Sequence, residues 1–295
     1  MSSFATRLLS ARKLFSICPT HRTHMNHGGG HARSTTLPGP REAAVPLGLQ
    51  ATQNTANVMR LLEASHVYRD AGVWHESALC WSFHEGEWQT SHHFTGAAVM
   101  APRLHALHFS DHRTALVKIT GSDGMVRYLS LLQLDEHTSV MDGWKIVRQV
   151  QVPATSSALA ASLEQTLQLY LQIEHGGGAA DYEHAQRLFA PQSSLVAVGM
   201  ADHDDPWSAP AGTLLEIPLE VYLEGVKQQT PHDIAARKQD AIVSVDVCGP
   251  VASAVVRVGN GAQTLVFEDH LLLGQTSSGT WKILSKTFSP QAWPE

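Results

Sequence analysis

"GWKIVRQVQ" occupies residues 143–151 and "TWKILSKTF" occupies residues 280–288. One chain spells Trp-Lys-Ile twice, each time after an apolar run and a small polar loop. "RYLSLLQL" (127–134) leads to the first and "FEDHLLLG" (267–274) to the second. Self-similarity on this scale indicates a repeated structural unit. Working outward, "NTANVMRLLEASHVYRDAG" (54–72) sets Val58, Leu61, Leu62 and Val67 or Tyr68 at helical spacing. "SSALAASLEQTLQLYLQIEHGG" (156–177) does the same with Leu159, Leu163, Leu167, Tyr170 and Leu171. Gly72 and Gly176 read as helix stops. A second short helix is expected over 73–81 ("VWHESALCW") and over 181–189 ("DYEHAQRLF"), aligning Trp74 with Tyr182 and Trp81 with Phe189. Strand-like stretches follow at 86–94 and 193–200.

The later halves also match. "RLHALHFSDHRTALVKI" (103–119) and "AIVSVDVCGPVASAVVRV" (241–258) both read as strand, tight turn, strand, with Ala115 opposite Ala254 in the alignment. The second copy carries an insertion at 201–233, whose second half places Leu219, Tyr222 and Leu223 on one helical face. The first copy passes from Thr95-Gly96 almost directly to its next strand.

Helix, short helix, strand, third helix and then long antiparallel strands resembles the nuclear transport factor 2-like superfamily. The strand endings look like the putative lumazine-binding (SnoaL-like) family within it, where a "DYL-x-L" strand leads to "WKI-x-x-K". The second copy keeps Asp269, Leu271, Leu273, Trp281, Lys282, Ile283 and Lys286. The first keeps Tyr128, Leu129, Leu131, Trp144, Lys145 and Ile146, but has Arg127 in place of the acid and Gln149 in place of the last lysine. The resemblance implies an α+β chain of two tandem cone-shaped domains, each a curved antiparallel sheet with helices on its concave face. Residues 51–151 form a degenerate copy lacking the third helix, and 156–292 a complete one. Single-copy members pair through the convex faces of their sheets. A link as short as "VPATSSA" (152–158), with strands apolar on both faces, therefore points to an intramolecular pseudo-dimer, a monomer with an internal pseudo-twofold. Trp144 and Trp281 are expected to pack the core while the neighbouring lysines face solvent.

The first forty residues differ in composition. They hold Arg7, Arg12, Lys13, Arg22, Arg33 and Arg41 and no acid before Glu42, and Phe4, Leu8, Ala11 and Phe15 share a helical face. Residues 1–50 thus read as a transit peptide and disordered linker, with a mitochondrial address and plastid or cytoplasm as alternatives. The remainder has a formal net charge that contributes to −6 overall and no basic run, which argues against a nucleic-acid partner. No apolar stretch approaches the ~18–20 residues of a membrane helix. Cys18, Cys80 and Cys248 are too few and too far apart for a disulfide scaffold or a zinc knuckle.

No nucleotide loop, nucleophile motif or metal motif is present, and no cofactor is expected. His105, His108 and His112 fall on a strand and its turn, where alternation separates the first two, so they are not read as metal ligands. Asp269 and His270 must likewise face opposite ways. The candidate ligand-binding residues are Tyr170, Tyr222, Asp246, Asp269 and His270, all in the second copy; no catalytic set is assigned. Two functions stay open: a non-catalytic protein that binds a small molecule or a protein, with a small apolar or aromatic ligand in the second domain; or a cofactor-independent isomerase, dehydratase or cyclase using that same pocket.

Overall fold

The structure is a computed structural model that describes residues 54–62, 73–84, 87–91, 102–110, 113–134, 143–154, 163–175, 179–199, 212–228, 240–260 and 265–292. The 1–50 segment, the glycine stops Gly72 and Gly176, Cys18, His112 and the first part of the 201–233 insertion lie outside these residues. Among the described residues, no helix is long and apolar enough to cross a membrane.

The first repeat contains a helix, α1 (residues 54–62), and six strands: β1 (Trp74–His84), β2 (Glu87–Ser91), β3 (Arg103–Phe109), β4 (Thr114–Thr120), β5 (Met125–Gln133) and β6 (Trp144–Pro153). The second contains α2 (Leu163–His175), α3 (Ala179–Leu188), β7 (Phe189–Val198), β8 (Leu214–Pro218), α4 (Leu219–Gln228), β9 (Ala241–Cys248), β10 (Val251–Asn260), β11 (Leu265–Gln275) and β12 (Trp281–Ala292). The strand orders are β2-β1-β6-β5-β4-β3 and β8-β7-β12-β11-β10-β9, one pattern written twice. Each sheet is antiparallel except for one parallel pair, β1 with β6 and β7 with β12. The chain is thus α+β, in two tandem domains of one plan.

The repeat is the expected one, but its early register is corrected. Residues 74–84 form a strand, not a helix. Trp74 pairs with Ile146 as Phe189 pairs with Ile283, so Trp74 corresponds to Phe189 rather than Tyr182. Trp81, opposite Val150, corresponds to Val196, opposite Thr287. β2 is then the counterpart of β8 and not of 193–200. Ala115 faces Leu131 as Ala252 faces Leu273, which moves its match from Ala254 to Ala252. The helical expectation failed because apolar residues on both faces hide the alternation. Trp74 packs toward the helix-side core, whereas Leu79 and Trp81 pack between the sheets.

Both repeats also share a β-bulge. Ser130 faces Arg148 while Leu131 faces Ile146, leaving Val147 as an extra residue; Leu272 faces Ser285 while Leu273 faces Ile283, leaving Leu284 extra. A bulge shifts the inward–outward alternation by one residue. Trp144 and Ile146, or Trp281 and Ile283, therefore pack under the helices. Beyond the bulge, Arg148 bonds Ser194 of the other repeat, whereas Lys286 returns to the helix side. Gly143 opens the first Trp-Lys-Ile strand at φ 77°, where a Cβ would meet the Leu134 carbonyl at 1.9 Å. Only glycine suits that turn.

The sheets pack face to face on the sides away from their helices. Trp81, Leu116, Val126, Tyr128, Val150 and Val152 of the first meet Ala190, Val251, Val255, Leu272 and Leu284 of the second. Burying a large apolar side chain is worth about 1.5–3 kcal/mol, so this layer outweighs the polar contacts around it. Those contacts follow a pseudo-twofold. Tyr128 corresponds to His270 and Asp246 to His108 by register; Tyr128 bonds Asp246, and the His270 ring lies 5.5 Å from that of His108. Trp88 lies against Gly274 and donates to the Gln275 carbonyl at 3.1 Å. Arg148, fully buried, donates to Ser194 Oγ and to Glu216 Oε1, each at 2.7 Å.

Candidate functional site

The helix side of the second domain encloses a group of charges. Leu163, Leu167, Tyr170 and Leu171 form the buried stripe of α2 against β10–β12. Glu174 lies one turn beyond Tyr170, so the same stripe carries a carboxylate inward. From α4, Tyr222, Leu223 and Val226 close over it. The sheet supplies Asp269 from β11 and Lys286 from β12.

These groups bind each other. Tyr170 donates its hydroxyl to Asp269 Oδ2 at 2.7 Å, and Tyr222 donates to Glu174 Oε1 at 2.7 Å. Lys286 Nζ reaches Glu174 Oε1 at 2.8 Å and Asp269 Oδ2 at 3.2 Å. It also lies 5.2 Å from the Tyr170 ring centre and 5.5 Å from those of Tyr222 and Phe288. One acceptor is left over: Asp269 is fully buried, and its Oδ1 has no hydrogen-bond partner.

The electrostatics follow from that layout. Burial opposes charge on Glu174, but the Lys286 ammonium and the donors on Glu174 overcome it and hold its carboxyl below the usual range. Asp269 goes the other way: burial raises it to about 6, and although Lys286 opposes the rise, the nearby Glu174 charge adds to it. Lys286 is held above its ordinary value because two carboxylates outweigh its burial. Burial and the adjacent carboxylates push both tyrosines far above 10, so they act as hydrogen-bond donors.

Of the five residues singled out from the sequence, Tyr170, Tyr222 and Asp269 meet in this group. Asp246 and His270 do not: both face the other repeat. Asp246 accepts from Lys118 and Tyr128, and His270 bonds Ser110 across the interface. Asp269 and His270 point to opposite faces, as strand alternation requires. Glu174 and Lys286 are the two members that the reading missed. The signal for Glu174 was its four-residue spacing from Tyr170. Lys286 was hidden by the bulge, since strict alternation from Trp281 would have sent it to the far face. The lysines inside Trp-Lys-Ile do not stand free in solvent as expected: Lys145 is buried and Lys282 half-buried. His105 bonds Thr120 at 2.8 Å, on the open side of β3, while His108 faces His270. No group of three metal-ligating side chains occurs among the described residues.

Residues 159–289 match the family described as putative lumazine-binding. No curated protein matches the chain. Solved structures similar to it include an NTF-2 like protein of unknown function from Silicibacter pomeroyi, at 20% identity over 44% of this chain and 93% of that one, TM-score 0.34. Another is an NTF2-like protein of unknown function from Shewanella baltica, at 19% identity over 48% of this chain and 100% of that one, TM-score 0.34. A third, from Methylobacillus flagellatus, has 21% identity over 46% of this chain and 100% of that one, TM-score 0.35. The family likeness thus spans the second repeat, from α2 into β12: residues 159–289 are similar to the putative lumazine-binding family.

Proposed function

We propose that the protein is a non-catalytic binding protein that holds a small molecule on the helix side of its second domain, against Asp269. The observation that carries this reading is the buried, unpartnered Asp269 Oδ1. A buried acceptor without a partner costs about 1–3 kcal/mol, which a ligand N–H or O–H would offset. The surrounding rings, Tyr170, Phe189 and Tyr222, suit a planar aromatic body; Phe189 stands 5.3 Å from Tyr222 and 6.4 Å from Tyr170. The other polar groups are tied to one another, which favours holding over turning over. In this reading the chain works as a monomer, because each sheet already covers the other's far face.

One observation favours the enzyme alternative. A carboxyl raised to about 6 beside a tyrosine donor suits proton transfer near neutral pH, as an isomerase, dehydratase or cyclase would need.

Native mass spectrometry of the chain purified from its own host tests the reading. A stoichiometric small added mass is expected, lost in D269A. Lumazine, which the family description names and which carries ring N–H groups, is the probe for the recombinant chain; D269A should weaken its binding about tenfold. A chain with no added mass and no response to lumazine overturns the reading. Release of a compound chemically different from the one loaded favours the enzyme.

A further inference from the structure

The register places a second, differently charged group of side chains in the first domain. Arg127 faces Gln151 on β6 as Asp269 faces Phe288 on β12, and Gln149 faces Leu129 as Lys286 faces Leu271. Where the second repeat has an acid and a lysine, the first therefore has an arginine and an amide. Arg127 lies on the helix-side face with Leu129 and Ile119 and is 2% exposed. Its two terminal nitrogens donate to the Asp123 carboxylate in the β4–β5 turn. Its Nε has no acceptor. An unpaired buried donor here mirrors the unpaired buried acceptor there.

The same face carries further neutral polar groups. Gln149 Nε2 lies 3.3 Å from the Cys80 sulfur and donates to Gln151 Oε1 at 3.1 Å. A thiol is a weak acceptor, so the bond to Cys80 is readily exchanged for one to a better oxygen. The Cys80 thiol stays protonated, because burial pushes it to about 11 despite the Gln149 hydrogen bond and the Arg127 charge. The Asp123 charge already neutralises Arg127. A second anion would be repelled by that carboxylate, whereas a neutral oxygen would not.

We propose that the first domain holds a small-molecule site of its own, taking a neutral carbonyl compound, an amide or lactam, whose oxygen accepts from Arg127 Nε and Gln149 Nε2. The site does not depend on the reading of the second domain. Its polarity is the reverse: the second domain accepts from its ligand and the first donates. One chain would thus bind two kinds of small molecule, one on each side of the shared sheet interface.

The test is an NMR titration of the full-length, 15N-labelled chain with benzamide and, separately, with benzoate, following the arginine Nε–H resonances. Arg127 is identified by loss of its resonance in R127K and, independently, by its displacement in D123N. Benzamide should move that resonance saturably, and R127K should weaken benzamide binding about tenfold. Benzoate should bind at least about tenfold more weakly than benzamide. An Arg127 resonance that benzamide leaves unmoved, or that benzoate moves equally, overturns the proposal. Because the readout is Arg127 itself, failure of lumazine to bind the second domain leaves this test intact.

Discussion

The two helix-side faces share a frame and differ in charge. Strand order, the parallel pair and the bulge recur at matching positions. On that frame, the second repeat buries three charges in mutual contact, and the first buries an arginine held by a turn aspartate. The difference teaches that the bulge fixes where a polar side chain is delivered, and the residue placed there decides what can be received. The outer strands differ as well. Val245 and Val247 on β9 are 44% and 39% exposed, whereas their counterparts Leu107 and Phe109 on β3 pack against the core, Phe109 at 5.8 Å from Trp144.

The comparison breaks most visibly at Lys286. K286M leaves Glu174 and Asp269 buried without a cation and should cost about 3–5 kcal/mol in urea unfolding. Q149M, at the matching position, removes hydrogen bonds from a neutral group and should cost about 1 kcal/mol. Equal losses would mean that the two faces are not organised by different charges.

The interface responds to acid through one repeat more than the other. His270 is fully buried, and burial together with the neighbouring His108 lowers it to about 3; Glu268, on the same strand, opposes the fall. A group whose folded value is below its unfolded value of about 6.5 takes up its proton first in the unfolded chain, so stability falls as pH drops from about 6.5 toward 3. At pH 5 this amounts to about 2 kcal/mol relative to pH 7. Asp269 contributes with the opposite sign: its folded value is raised, so stability falls as pH rises through about 6. The total slope is therefore flattened, and the informative quantity is the difference between wild type and H270Q, followed by urea midpoints at pH 7 and pH 5. A gap that stays constant between the two pH values would show that His270 is not held neutral by burial. Its counterpart in the first repeat, Tyr128, titrates far above this range, because burial and the bond to Asp246 raise it.

The smallest effect is expected at the outer strands. V245T should change stability by less than about 0.5 kcal/mol, and L107T should cost about 1–2 kcal/mol. Equal costs would mean that the β9 face is covered in solution.

Much of the frame was readable in the sequence because local patterns carried it. Trp144 and Trp281 marked the same strand twice, and the α2 stripe from Leu163 to Leu171 and the α4 face at Tyr222 and Leu223 are both buried as expected. What stayed hidden was set by contacts distant in sequence. β1 runs beside β6 and is apolar on both sides, so neither period stood out between Trp74 and Trp81. The bulge at Leu284 depends on how β12 pairs with β11, and nothing within "WKILSKTF" announces it. Lys286 was therefore not placed beside Asp269. His270 and Asp246 were read as candidates for the right reason, polar residues in apolar strands, but their hydrogen bonds, from His270 Nε2 to Ser110 and from Lys118 and Tyr128 to Asp246, run to the sister sheet.

The Trp-Lys-Ile strand is the last made of each repeat and lies in the middle of its sheet, between β1 and β5 or between β7 and β11. During synthesis, then, the early strands of a repeat have no neighbour to join them to the later ones until that strand leaves the ribosome. Such long-range closure makes for slow folding. It also gives the first repeat time to finish before the second has any central strand to offer, so that two sets of strands of one topology are kept from exchanging partners by order of arrival. A chain stopped short of Trp281 would emerge with one completed sheet and, beside it, the two separated halves of another.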